Sequence, residues 1–149
     1  MHSKLQYTIT LFFFLFVAKF SFAYSFDTLK YKIYVDSIAK IYYNNPEKAI
    51  SLGKELYDYT SKIQDKENIE SVLNTLSLAY FYKGDRKECL LYLNILKNIY
   101  IKKYDNDKLS LILNRIGAIY QDWSLQTEAL NYFNKAYKYA IKSNNPERI

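Results

Sequence analysis

The sequence predicts an all-α fold, an α-solenoid of tandem helical hairpins that follows an N-terminal signal peptide. Three observations predict it. First, the chain repeats itself at a gapless interval of forty residues. Asp27-Thr28-Leu29, Glu67-Asn68-Ile69 and Asp107-Lys108-Leu109 open equivalent segments, and Ile33, Leu73 and Leu113, then Ala49, Cys89 and Ala129, then Lys62, Lys102 and Lys142 follow in step. Self-similarity at one interval signals stacked copies of a small unit, none of which buries its apolar face alone. Second, apolar residues within each copy recur at three- and four-residue steps, the spacing of one helix face. Third, with 3 Gly and 2 Pro in 149 residues, the chain suits helices joined by short turns rather than a sandwich of short strands.

Met1 to Ala23 stands outside the array. Lys4 supplies a positive start, Ile9 to Ala18 forms a Phe-rich apolar run, and Ser21-Phe22-Ala23 ends in small residues at alternate positions. That order is the layout of a secretory signal peptide, cleaved after Ala23. The run is shorter than the ~20 residues of an ordinary membrane span, and Lys19 interrupts any extension. A buried N-terminal helix or an uncleaved anchor is the alternative. The expected domains are therefore a signal peptide over 1–23 and a repeat domain over 24–149, with units near 27–66, 67–106 and 107–146.

Each unit reads as two helices. The first is the weakest, with Asp36 and Lys40 where its neighbours place Leu76 and Tyr80, and Gly53 where they place Leu93 and Phe133. This pattern suits an N-terminal cap whose outer face meets water, or alternatively a linker. Asn45-Pro46-Glu47 restarts a helix there, with Pro46 where no amide donor is needed. In the second unit Ile69, Val72, Leu73, Leu76 and Tyr80 share a face. Lys83-Gly84-Asp85 breaks the helix, Gly84 being free to turn left-handed and Asp85 to cap the next helix. Cys89, Leu90, Leu93, Leu96 and Tyr100 make the following stripe. The third unit repeats the plan with Leu109, Ile112, Leu113, Ile116 and Tyr120, a turn near Trp123-Ser124, and a helix from Ala129 to Ala140. Asp27, Glu67 and Asp107 fall in first turns, where the helix dipole favours negative charge.

Pro146-Glu147-Arg148-Ile149 falls on the same comb, so a fourth unit begins at 147 and is cut off. Leu130, Phe133, Ala136, Tyr137 and Ala140 are expected to form an apolar stripe with no cap, which reads as a truncated product or a fragment of a longer protein and predicts that the isolated chain self-associates; the alternative is that Ile149 is the true end and a partner chain or dimer covers the stripe.

Loss of Lys4 and Lys19 with the leader lowers the formal charge from +6 to +4, with acids interspersed throughout, which argues weakly for nucleic acid. Cys89 is the only cysteine and His2, in the leader, the only histidine. No zinc cluster, catalytic base or glycine-rich phosphate loop can be assembled, so no catalytic residue, metal or cofactor is expected. Cys89 aligns with Ala49 and Ala129 on a packed face, as a small core residue does. The acids are read as helix caps and solvated charges.

Asn114-Arg115-Ile116-Gly117-Ala118-Ile119-Tyr120 resembles the Leu-Gly-x-x-Tyr core of the tetratricopeptide repeat family. Ala129-Leu130-Asn131-Tyr132-Phe133-Asn134-Lys135-Ala136 resembles that family's second-helix signature, and Leu76-Ser77-Leu78-Ala79-Tyr80 with Gly84-Asp85 is a looser match. The long repeat is similar to the maltose-regulon-activator type and to kinesin light chains. The resemblance covers about Asp27 to Ser143. It implies a right-handed superhelix with a concave groove lined by the first helix of each pair. Carried over by position, the groove residues are Tyr34, Asn74 and Asn114, then Ile38, Leu78 and Ala118, then Ile41, Phe81 and Gln121. The paired asparagines can hydrogen-bond a peptide backbone or a terminal carboxylate, or else merely satisfy neighbouring helix ends.

The resemblance further implies a non-catalytic scaffold for a protein or peptide partner, without nucleic acid. Exported repeats of this kind resemble the periplasmic sensory part of bacterial membrane-tethered signalling or transcription regulators. The alternative is a free-standing periplasmic adaptor or envelope-assembly factor. Expressed in a bacterial host, the chain is expected outside the cytoplasm with Tyr24 as its first residue. N-terminal sequencing that finds Met1 on a soluble cytoplasmic product excludes export.

Overall fold

In the computed structural model, which describes residues 33–143, the chain is all-helical. The expected signal peptide, the Asp27 opening of the first unit and the start at 147 of a fourth lie outside the described residues. Residues 33–41 form helix α1. It is followed by α2 (Pro46–Lys62), α3 (Lys66–Lys83), α4 (Arg86–Lys103), α5 (Asn106–Asp122) and α6 (Gln126–Ser143). None of these helices is long and apolar enough to cross a membrane.

The four corners from α2 to α6 follow one rule. Gln64, Gly84, Tyr104 and Ser124 have left-handed backbones, with φ between 54° and 87°, at intervals of twenty residues. Each donates its N–H to the carbonyl three residues back, as Gly84 does to Phe81 at 3.0 Å. The residue after it donates five back: Asp65 to Thr60, Asp85 to Tyr80, Asp105 to Tyr100 and Leu125 to Tyr120, at 2.9–3.1 Å. That pair of bonds satisfies the orphan carbonyls at a helix end. The same second residue then caps the next helix. Asp65, Asp85 and Asp105 accept from the amides of Asn68, Glu88 and Lys108 at 3.0–3.1 Å, and Asn45 does so for Lys48. Each corner spans two or three residues and ends in a left-handed residue followed by one that, at three of the four, caps the next helix. Only at Leu125 does the capping side chain fail, having no oxygen to offer.

Each helix therefore packs on its sequence neighbours: α2 on α3, α3 on α4, α4 on α5 and α5 on α6. Val72, Leu73, Leu76, Leu93, Leu96, Ile112, Leu113 and Ile116 join one buried cluster. Two stacks repeat forty residues apart, Tyr80 on Tyr92 and Tyr120 on Tyr132, with centroids at 5.5 and 5.2 Å, and glue the two later helix pairs. Glycine lets two helices approach closely. A Cβ at Gly117 would sit 2.6 Å from the Phe133 ring, and one at Gly53 would sit 2.7 Å from Leu76.

The uncapped stripe of α6 is corrected in part. Ala136 and Ala140 are buried and the Phe133 ring lies on Gly117, so these three face inward. Leu130 and Tyr137 remain exposed. The apolar set spans more of the helix circumference than one stripe, and only its outer edge meets solvent. The reading of the acids as caps and solvated charges also fails at one residue, because Glu70 is buried.

Three of the four left-handed positions lack glycine. A side chain there costs roughly 1 kcal/mol. Tyr104 is 88% exposed, so its ring contributes no packing to lose. Tyr104→Gly is therefore expected to raise stability by about 0.5–1 kcal/mol, read as a higher denaturant midpoint at unchanged slope. A lower midpoint would show that the ring, not the backbone, governs this corner.

Candidate functional site

Both α3 and α5 pack on α4 rather than on each other. The space between them is spanned by side chains and holds two cavities. The first, of about 200 Å³, is apolar. Leu78, Phe81 and Tyr82 of α3, Cys89 and Leu93 of α4, and Ala118 and Ile119 of α5 wall it. The second, of about 430 Å³, is polar and lined by Glu70, Ser71, Asn74, Tyr100, Asp107, Lys108 and Leu111 among others. Arg115 lines both. Its Nη1 donates to Asn74 Oδ1 at 2.7 Å, so one guanidinium forms the partition between the apolar and polar chambers.

The polar chamber is organised around the buried Glu70. Lys103 of α4 pairs with Glu70 Oε1, and Lys108 Nζ of α5 lies 3.6 Å from Oε2. A carboxylate withdrawn from water needs such partners, since leaving it unpaired is strongly destabilising. The Tyr100 hydroxyl beside it is pushed up to about 12, first by burial and then by the Glu70 charge. Burial likewise drives the Cys89 thiol up to about 11, which leaves it protonated and unreactive near neutrality.

The rim is aromatic. Tyr43 and Tyr82 meet edge to face at 4.9 Å, and Tyr42 lies 5.6 Å from Tyr82. Arg86 sits over the Phe81 ring at 3.9 Å, donates to the Phe81 carbonyl, and reaches across to Asp122 Oδ2 at 2.7 Å. This single side chain fixes the ends of α3 and α5 at the mouth of the apolar cavity.

Of the nine residues expected to face a groove, Asn74, Leu78, Phe81 and Ala118 line these cavities. Tyr34, Asn114 and Gln121 are exposed and line neither, while Ile41 is half-buried. Ile38 is corrected outright. It is fully buried and belongs to the core cluster with Val35, so it presents nothing to a partner. The two asparagines are not equivalent either. Asn74 is half-buried against Arg115, whereas Asn114 faces solvent. Asn74 is reached by an arginine of the following pair, and among the described residues no following pair stands beside Asn114.

Arg115 and Glu70 were not among the residues singled out from the sequence. A signal existed: Arg115 is the only charged residue of α5 between Lys108 and Asp122, and Glu70 the only one of α3 between Glu67 and Lys83. A lone charge inside an apolar helix usually has a partner on another element. Compared with known protein families, curated proteins and solved structures, the chain has no match in any of the three.

The alkaline behaviour of Tyr100 follows from its surroundings. Its folded value lies above the unfolded one of about 10, so its contribution is complete below pH 10 and is lost as pH rises through about 12. The denaturant midpoint is expected to fall over this range, and less steeply in Tyr100→Phe. Equal slopes in the two proteins would remove Tyr100 from the account.

Proposed function

We propose that this chain is a non-catalytic scaffold that binds a protein or peptide partner along α3 and α5. In this reading it is an exported, tetratricopeptide-like α-solenoid whose 24–149 region follows a cleaved leader. It would act as the periplasmic sensory or interaction part of a bacterial membrane-tethered regulator. The leader layout of Met1–Ala23 and the forty-residue register support those wider parts of the proposal.

One observation carries the binding role: an apolar cavity that adjoins a polar chamber across Arg115. At about 200 Å³ the cavity is smaller than the roughly 300–1,000 Å³ usual for small-molecule sites, and suits one large side chain. The polar chamber beside it offers Asn74 and Lys108 to the backbone or polar side chains of the same segment. An apolar anchor flanked by polar groups is how an extended peptide gains both affinity and register.

Peptides selected from a displayed random library against the intact chain are expected to share a large apolar residue. Ala118→Trp, which fills the cavity, and Leu78→Ser, which makes it polar, are each expected to weaken them about tenfold or more, while the melting temperature changes little. Binders indifferent to both substitutions, or no binders at all, would overturn the proposal.

A further inference from the structure

The polar chamber between α3 and α5 is larger than a peptide anchor needs. At about 430 Å³ it is over twice the apolar cavity and falls within the roughly 300–1,000 Å³ of small-molecule sites. Its walls carry both signs of charge. Glu70 of α3 and Asp107 of α5 are the lining acids, and Lys108 and Arg115 of α5 the lining bases. Leu111 and Ile112 add an apolar patch on the α5 side.

The two lysines at Glu70 are not equivalent. Glu70 is buried, and Lys103 of α4 holds its Oε1 in a close hydrogen bond. Lys108 Nζ instead stands 3.6 Å from Glu70 Oε2 and 3.6 Å from Asp105 Oδ2. A charge-assisted hydrogen bond spans about 2.7–2.9 Å, so this ammonium hangs between two carboxylates and donates closely to neither. Its side chain is 52% exposed, with the Tyr100 ring 5.4 Å away. Glu70 keeps Lys103 as its partner when Lys108 turns to a ligand.

Charge balance selects that ligand. A plain anion on Lys108 also faces Glu70 and Asp107, and a plain cation faces Lys108 and Arg115. An apolar molecule strips water from all four charges and returns nothing. A molecule carrying both charges a short distance apart avoids each of these penalties. We infer that the chamber binds a free α-amino acid, its carboxylate toward Lys108 and Arg115, its ammonium toward Asp107, and an aliphatic side chain toward Leu111. The bond from Arg115 Nη1 to Asn74 Oδ1, at 2.7 Å, fixes the guanidinium as the end wall against which the carboxylate sits. This site does not rest on the peptide reading, whose anchor is the apolar cavity beyond Arg115.

Calorimetric titration of the intact chain with the common L-amino acids tests it. Saturable binding of at least one aliphatic amino acid is expected. Its N-acetyl derivative, which lacks the ammonium, and its amide, which lacks the carboxylate, are each expected to bind about tenfold more weakly or worse. Lys108→Met is expected to lose affinity by a similar factor, with circular dichroism unchanged; should that variant lose its helices, Asp107→Asn, at the ammonium end, gives the same comparison. No binding by any aliphatic amino acid overturns the inference. Equal binding of the N-acetyl derivative makes this a simple anion site and also overturns it, as does affinity indifferent to Lys108→Met. No peptide enters the titration and the apolar cavity has no part in it, so this inference can fail while the peptide reading stands, and the reverse.

Discussion

The short corner is the constraint on which the rest of this structure depends. A left-handed residue and the one after it, which caps at three of the four corners, let one helix end and the next begin within two or three residues. At that length the chain must reverse direction, and successive helices are held antiparallel and adjacent. Because the corners recur at intervals of twenty residues, the helices between them come out at 17 or 18 residues each. Equal lengths keep the apolar faces in step, which is why one buried cluster runs continuously from α1 to α6. Asp65 and Asp105 offset the strain of the non-glycine residues Gln64 and Tyr104 that precede them, whereas Asp85 follows a glycine and Ser124 has no such cap beside it.

The same rule creates the cavities. With corners this short, α3 and α5 each pack against α4 and their facing sides stand apart. What fills the gap has to be long and able to reach, and here it is charged. Arg115 spans to Asn74, Lys108 to Glu70, and Arg86 to Asp122. Such links contribute little net stability once desolvation is counted. Their effect is on register: each ties α3 or its corner to α5, so consecutive pairs cannot slide without stranding a charge. Bridges that leave open space between them also leave room for a side chain from elsewhere.

Gly53 and Gly117 show how the repeat varies without losing its plan. In the third pair Gly117 admits the Phe133 ring inside the pair, whereas in the first Gly53 admits Leu76 from the neighbouring one. Phenylalanine is drawn inward by the space that Gly117 leaves, and the outer edge of α6 is left to Leu130 and Tyr137. The stripe expected from spacing alone is thereby divided between the core and the surface.

Helix type, the turns at Asn45-Pro46, Gly84-Asp85 and Trp123-Ser124, and most buried apolar positions were determined by the sequence, because periodicity and capping act within a few residues of the chain. The forty-residue comb was legible for the same reason, but the twenty-residue backbone rule beneath it was not. Gln64, Tyr104 and Ser124 share no side-chain signature, and only their φ angles make them alike. Tertiary structure alone decided the site. Asn74 and Asn114 look identical in register, yet one holds a guanidinium and the other meets water. Ile38 matches Leu78 and Ala118 in the repeat, yet it is sealed in the core while they line a cavity. The burial of Glu70 between two lysines depends on α4 and α5 arriving from more than thirty residues away. Local pattern specifies which face of a helix is apolar; which neighbour comes to stand opposite each residue, and how much space it leaves, is settled only when the helices pack.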